Sequence, residues 1–496
     1  MQKKSQHQDE QATRIERLSK LRAAGIDPYP AQTSRDRTIC KLREKPPTGT
    51  KEATIAGRVR SLRGHGGSTF AHLEDGTGSF QVYLKEDKLK KQYELFADTV
   101  DIGDFIEATG AVFTTKRGEE TLLVSSWGML AKALRPLPEK WHGLQDIEAR
   151  FRKRYLDLIA NPEVRGRMKQ RSAILDSIRE TMQKYEFLEV ETPTLQPIYG
   201  GGFARPFITH HFALDADFYL RISDELYLKR LLVGGFERVY EITKVFRNEG
   251  IDHNHNPEFT MFEAQAAYKD YAWGMDVFEE IFENAAQSVL GTTAIKRGDA
   301  AADVRRPWKR MTVSEAVSSV AGLDASGWKS VSAAKKAVKA EMKGAPGASD
   351  LDSMNSIGEV LAFAFEALVE EKLIEPTIIH DYPVEVSPLA KRCANNPNFT
   401  ERFEGFMFGL EIGNNYSELN DPEDLYARFV AEKKKQEAGF EEAHQTDLDY
   451  LEAIEHGMPP ACGFGIGVDR MAMLLLGAAS IKEVILFPTL RPKEKE

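Results

Sequence analysis

The chain has 496 residues, 42% of them hydrophobic and 29% charged, with a formal net charge of −10. That composition describes a soluble globular protein of two or three domains and excludes a disordered or fibrous one; the acidic balance argues mildly against general nucleic-acid binding but leaves room for a local basic track. Three widely spaced cysteines (Cys40, Cys393, Cys462) argue against a disulfide framework or structural zinc and fit a reducing cytoplasm; the absence of an 18-residue apolar run or an apolar N-terminal core predicts neither a membrane span nor a signal peptide.

Residues 1–48 read as an N-terminal helical arm with a basic bias (Lys3, Lys4, Arg14, Arg17, Lys20, Arg22), ending in turn signals at Asp27-Pro28-Tyr29-Pro30 and Pro46-Pro47. Its basic face is expected to be solvated. From 49 to 137 short strands alternate with glycine turns: Ala53–Leu62, Ser68–Glu74, Ser79–Leu84, Phe105–Thr114 and Thr121–Gly128, with a hairpin signal at Asp75-Gly76-Thr77-Gly78. Five short strands in that length suggest a small β-barrel, for which the OB-fold is the common oligonucleotide-binding solution. Leu134-Arg135-Pro136-Leu137-Pro138 stiffens the chain into a linker. Residues 138–496 are mixed, with helices predicted at Pro162–Tyr185, Asp224–Leu232 and Met471–Leu476 and strands at Thr377–His380 and Arg402–Leu410. Residues 296–350 read as a loose helical insert ending in Lys343-Gly344-Ala345-Pro346-Gly347. Regular βα alternation is missing, so the class is α+β, with an antiparallel sheet flanked by helices.

The most informative run is Phe246-Arg247-Asn248-Glu249 followed by His253-Asn254-His255-Asn256-Pro257-Glu258-Phe259. Strand-like segments at 237–242 and 260–268 flank it and predict a long antiparallel hairpin. Such a loop suits a nucleotide: an arginine fork grips phosphate, a carboxylate accepts from an adenine amino group, and Phe259 offers a stacking face. Near the C-terminus, Gly463-Phe464-Gly465-Ile466-Gly467 lacks the GxGxxG spacing of a dinucleotide fingerprint. It reads as a glycine strand that admits a ligand closely, followed by Arg470, which can stack on a purine. Glu404 and Glu411 lie seven apart. One continuous strand would put them on opposite faces, so a shared metal needs a bulge or bend; oxygen-only ligands would indicate Mg2+ bound together with phosphates. Glu418 has no basic neighbour in the sequence.

Three of these segments, the helix running to Pro193, the Phe246–Phe259 loop and the Gly463–Arg470 strand-helix, resemble the signature motifs of class II aminoacyl-tRNA synthetases. The resemblance is strongest to the lysine-charging members, in Ala204–His211, Glu225–Leu231, His255–Met261, Glu385–Lys391, Ser417–Pro422 and Ile485–Pro492. It covers about 50 to 492. It implies an anticodon-binding OB barrel, a catalytic domain on a six-stranded antiparallel sheet, a homodimer paired through the segment around Phe187–Pro193, and substrates ATP, L-lysine and tRNA(Lys). By resemblance, Arg247 and Arg470 are the catalytic arginines, and Glu249, His255, Asn256, Phe259 and Glu411 join them around ATP. Gly201, Glu225 and Asn414 would take the backbone groups of lysine, and Glu263 and Glu418 its ε-ammonium, beside Tyr416. Glu404 and Glu411 would bind Mg2+, and Phe70 and Gln81 the anticodon. An alternative reading of Phe70 is a core phenylalanine. Three positions depart from the family pattern: Gln265 where tyrosine is usual, Phe212 where asparagine is, and Asp224 where proline is.

Overall fold

The computed structural model describes residues 2–47, 51–138, 144–342, 348–437 and 446–492. The chain divides into two compact units, Met1–Leu144 and Gln145–Glu496, each with its own hydrophobic core.

In the first unit, the strands Ala53–Gly64, Ser68–Glu74, Ser79–Lys85, Phe105–Thr114 and Glu120–Ala131 close into a barrel. Strict period-2 patterning drives it. On the second and third strands Ala71, Leu73, Phe80, Val82 and Leu84 are buried, while Phe70, His72, Gln81 and Tyr83 alternate outward. The hairpin between them turns at Asp75, whose Oδ1 accepts from the backbone of Thr77 (2.7 Å) and Gly78 (3.1 Å). The helix Gln2–Ala23 is not the solvated arm the charges suggested. Arg14 donates to the carbonyls of Ile102 and Ala133, Arg17 pairs with Asp101, and Lys20 reaches Asp98 at 3.0 Å. Those charges bind within the unit.

The second unit is built on six antiparallel strands in the spatial order Thr377–Pro383, Asn396–Met407, Leu410–Ser417, Ala461–Gly467, Glu258–Ala267 and Arg238–Phe246. A parallel strand flanks each edge: Lys309–Thr312 beside the first and Leu188–Glu189 beside the last. One face is apolar. Phe262, Ala264, Phe403, Ile412, Phe464 and Ile466 pack there against the helices Pro162–Lys184, Tyr271–Leu290 and Val468–Leu475. The sequence reading passed over the helix Tyr271–Leu290, although its stop signals are plain. Asp270 caps it by accepting from Trp273 N (3.0 Å), and Gly291 ends it in the left-handed region.

Two further expectations are corrected. The segment read as one strand, Arg402–Leu410, is the middle of a hairpin that turns at Phe408 and Gly409, both with positive φ. Residues 296–350 are not a loose helical insert. They include half of the hairpin Ala294–Arg297/Ala300–Asp303, the edge strand Lys309–Thr312, and the helices Val313–Ala321 and Val331–Met342, which share a core with Ile357–Leu368 through Val317, Val338, Leu361 and Phe365. A Lys- and Ala-rich sequence concealed a one-sided apolar stripe. The expected end, Lys343–Gly347, lies outside the described residues.

Candidate active site

The polar face of the six-stranded sheet floors a cavity of about 1110 Å³. Its centre is the strand Ala461–Gly467. Period-2 alternation sends Phe464 and Ile466 into the core and leaves Gly463, Gly465 and Gly467 facing the cavity, so the floor carries no side chains there. Register then sets the neighbours. Glu263 stands opposite Gly465 and Gln265 opposite Gly463 on one side; Asn414 and Tyr416 face the same glycines on the other.

At one end lie the residues read as nucleotide-binding. Phe246 pairs with Glu258, so the hairpin loop spans 247–257. Asp252 fixes its tip by accepting from the backbone of Asn254 and His255 and from His255 Nδ1 (2.8 Å). The Arg247 guanidinium lies over the Phe259 ring, 5.3 Å from its centroid, and its buried Nε has no acceptor. Arg470 donates to Glu411 Oε2 at 2.6 Å and comes within 3.4 Å of His255 Nε2. Asp469, beside it, accepts from Arg171 (2.6 Å) and Thr260 N (2.8 Å), tying the start of that helix to the hairpin. Glu249 lines the cavity from an exposed position. Asn256 is buried with its amide engaged: Nδ2 donates to Glu258 O and Oδ1 accepts from Thr489 N. It shapes the loop.

Glu404 and Glu411 share the cavity face despite their odd spacing. They sit on the two arms of the hairpin, and a bulge does the rest. Gly405 pairs with Gly413 but Phe406 with Glu411, so Ile412 is an extra residue that turns to the core and returns Glu411 to the side of Glu404. Glu404 accepts from Arg402 (2.5 Å) and Tyr382 OH (2.7 Å), and burial raises its pKa. Glu370, also lining the cavity, is raised to about 7 by burial and by Glu404 and Glu411. Among the described residues no three His, Cys, Asp or Glu side chains form a ready metal cage. Two carboxylates in a negative field fit a Mg2+ ion that brings the rest of its oxygen shell with it.

The opposite end is crowded with buried carboxylates. Glu263 accepts from Ser223 Oγ at 2.9 Å through both oxygens; burial, with Glu225 adding, lifts its pKa to about 7. Glu418 is lifted to about 8, again by burial and Glu225, against the pull of Lys229. Lys229 Nζ lies 2.5 Å from both Glu225 and Glu418 and 5.0 Å from the Tyr416 ring centroid; Tyr416 OH donates to Glu225 at 2.5 Å. Glu418 therefore has a basic partner that sequence proximity did not reveal. Gln265 turns its amide nitrogen to Glu418 and leaves Oε1 without a partner. Asp224 is fully buried with neither oxygen hydrogen-bonded, and burial, then Glu263 and Glu241, hold its pKa well above the usual range. Asn414 accepts from Arg402 Nε at 3.0 Å. Gly201 has φ +82°, and a Cβ there would sit 2.7 Å from Ser223 Oγ and 3.1 Å from Glu225 Cβ, so only glycine fits against these two residues.

On the barrel, Phe70 is an outward residue, not a core one. It stacks on Tyr83, with centroids 4.2 Å apart and planes 16° apart. Beside it Gln81 donates to Glu119 (2.9 Å) and accepts from Thr121 (2.8 Å). Sequence reasoning missed Tyr83 and Lys229, yet both carried a signal. Tyr83 lies two residues beyond Gln81 on one strand face, and Lys229 one helical turn beyond Glu225.

Residues 146–491 match the family model of class II tRNA synthetases (D, K and N), and residues 53–130 match that of the OB-fold nucleic acid binding domain. The chain belongs to the class II tRNA synthetase family. Relatives over nearly its whole length carry the name lysine–tRNA ligase. That of Pelotomaculum thermopropionicum is 50% identical over 97% of this chain and 94% of its own. The Carboxydothermus hydrogenoformans enzyme is 50% identical (97% and 98%), and that of Bacillus subtilis 46% (98% and 98%).

Proposed function

We propose that the chain is a lysine–tRNA ligase that joins L-lysine to ATP and then passes the lysyl group to tRNA(Lys). The observation that carries this reading is the trio of carboxylates Glu225, Glu263 and Glu418 at one end of the cavity whose other end holds Arg247 and Arg470. A desolvated ammonium needs carboxylate partners. An acidic side chain in that position would be repelled by them and an amide brings no positive charge to offset them, so the pocket would disfavour the amino acids of the sister branches of the family.

No nucleophilic side chain is required. An oxygen of the lysine carboxylate attacks the α-phosphorus of ATP, the bond to the β-phosphate breaks, and pyrophosphate leaves with its electron pair. The 3′-terminal ribose hydroxyl of tRNA next attacks the carbonyl carbon of lysyl-adenylate, AMP departs, and the hydroxyl proton is released. Arg247, which lines the cavity, would hold the α-phosphate and the lysine carboxylate. Glu249 would accept from the adenine amino group, with His255 and Asn256 bordering the nucleotide. The purine would lie between Arg470 and the free face of Phe259. Glu404 and Glu411 would hold Mg2+, which when bound spreads the charge developing on the phosphates. Gly201, Glu225 and Asn414 border the amino-acid backbone, and Glu263, Glu418 and Tyr416 its ammonium end. What this machinery does is position groups.

The barrel would bind the anticodon, with Phe70 and Gln81 offering a stacking face and an amide for unpaired bases. A homodimer fits the exposed apolar residues Leu188, Leu195, Ile208, Phe212 and Leu214. No described helix is long and apolar enough to cross a membrane, and a cytoplasmic setting suits these substrates. The deciding experiment is pyrophosphate exchange across all twenty amino acids, with Mg2+ and with chelator. Lysine-dependent, Mg2+-dependent exchange is expected; a different amino acid preferred over lysine would overturn the reading.

A further inference from the structure

Lys229 occupies a costly position. It is fully buried one turn into the helix Glu225–Val233, on the far side of the carboxylates from the cavity, which it does not line. Burial opposes its charge, but Glu225 and Glu418 together outweigh that and hold its pKa well above the usual lysine value. The groups facing it are Glu225 on its own helix, Tyr416 on the sheet strand Leu410–Ser417 and Glu418 just after it, and Tyr450 from the helix Leu448–Glu455. Lys229 is shared by two of the three carboxylates at this end of the cavity, 2.5 Å from each.

We infer that Lys229 is a specificity-determining positioning residue: it sets the residual charge of the amino-acid pocket to match a substrate carrying two ammonium groups. The inference rests on the lysine-activating reading above. With lysine bound and all three carboxylates ionised, Glu225, Glu263 and Glu418 bring three negative charges, and Lys229 offsets one. Two remain, and lysine supplies an α-ammonium and an ε-ammonium to meet them, while its carboxylate faces Arg247. Asp224 stays outside the count because it does not line the cavity, and burial, then Glu263 and Glu241, favour its neutral form. Without Lys229 the pocket carries one uncompensated buried charge, which lysine cannot neutralise and which costs binding. Lys229 also fixes Glu225 and Glu418 from behind, so each presents its remaining lone pairs to the cavity.

Charge matching makes a reciprocal demand that a packing role does not. Lys229→Met leaves three charges, Glu418→Gln leaves one, and the double variant returns to two. In lysine-dependent pyrophosphate exchange by the full chain, each single variant is expected to raise the KM for lysine by roughly tenfold or more. The KM for ATP should stay within about threefold, because the nucleotide end is separate. The double variant is expected to bind lysine at least as well as the better single variant, a clear departure from additivity. Lys229→Ala adds a second readout: n-propylammonium, which replaces the missing side chain and its charge, should lower the KM for lysine, and n-propanol of the same size should not.

Additive losses in the double variant, or equal rescue by propanol, would reduce Lys229 to a space-filling residue and overturn the inference. If neither single variant folds, the double variant decides. A folded double variant that uses lysine is expected, and one that fails to fold shows that Lys229 serves the fold alone. Absence of lysine-dependent exchange in the unmodified protein would instead defeat the substrate reading, an outcome separate from anything the Lys229 variants can produce.

Discussion

A single side chain at the ammonium end changes more than one interaction, because the carboxylates there share partners. Glu418→Gln removes a charge that Lys229 and the incoming ammonium both use, and leaving a buried ammonium half paired costs on the order of 2–5 kcal/mol. Exchange at low lysine should fall accordingly, and an unchanged KM would remove Glu418 from the pocket. The pH dependence follows from the same residues. Burial lifts Glu263 to about 7 and Glu418 to about 8, and an ammonium ligand needs both ionised. Lysine binding therefore displaces protons below those values, and its apparent affinity should strengthen between about pH 6 and pH 8 and level off above. The sign for the unliganded fold is the reverse. Carboxyls raised in the folded state stabilise it fully below the ordinary carboxylate pKa, and that contribution is lost as pH rises through about 7 to 8. Lysine should accordingly raise the melting temperature more at pH 8 than at about pH 6; a pH-independent shift would contradict the burial of these charges. Gln265→Tyr should keep lysine as the preferred substrate and change its KM by at most about tenfold, roughly 1.4 kcal/mol, because on the proposed reading the selecting charges lie on Glu263 and Glu418. Of this pocket, Glu263 and Glu418 were legible through family resemblance. Lys229 carried only its one-turn spacing from Glu225; its pairing with Glu418 was not legible, because the fold brings it from a helix almost two hundred residues earlier.

The strand Ala461–Gly467 and the hairpin Asn396–Ser417 do their work through backbone geometry. Gly463 lies between Gln265 and Tyr416 in register, and a Cβ there would collide with the ends of both Glu418 and Gln265. Gly467 tolerates one, since the nearest atom, Arg470 Cβ, would stand at 3.8 Å. Gly463→Ala should therefore raise the KM for lysine by about tenfold or more, while Gly467→Ala should leave it within about threefold, the difference between overpacking and ordinary contact. Equal effects would mean that the glycines serve the sheet and not the pocket. The spacing GxGxG announced this strand, because period 2 is legible without a structure. The same periodicity drew the barrel nearly strand for strand. It failed at Ile412, where a bulge breaks alternation, and a sequence carries no mark of which residue will be the extra one. It failed again at the segment read as an insert, where short strands and helices pack on one another and no single period runs long enough to be seen.

At the scale of the molecule, two units with separate cores imply separable activities. The apolar residues exposed between Leu188 and Leu214 should be covered by a second copy related by a two-fold axis, since a self-complementary patch closes that way; light scattering at micromolar concentration showing an active monomer would contradict it. The barrel offers the sharper test. Phe70 and Tyr83 form a stacked pair on its outer face, next to a glutamine whose amide is oriented by Glu119 and Thr121. A half-buried, pre-stacked aromatic pair on the outer face does little for the barrel core, which Ala71, Leu73, Val82 and Leu84 fill from the other side of the same strands. On the proposed reading it receives a base, an interaction that contributes roughly 1–3 kcal/mol per stacked base. Phe70→Ala should therefore weaken tRNA charging by about tenfold to a hundredfold in kcat/KM, corresponding to that range. Lysine-dependent pyrophosphate exchange, which needs no tRNA, should remain close to that of the unmodified protein, and the barrel should melt at nearly its original temperature. Tyr83→Ala should follow the same pattern. Both activities falling together would place Phe70 in the structure of the barrel and remove the anticodon role; charging that survives the loss of both rings would leave the stack without a ligand.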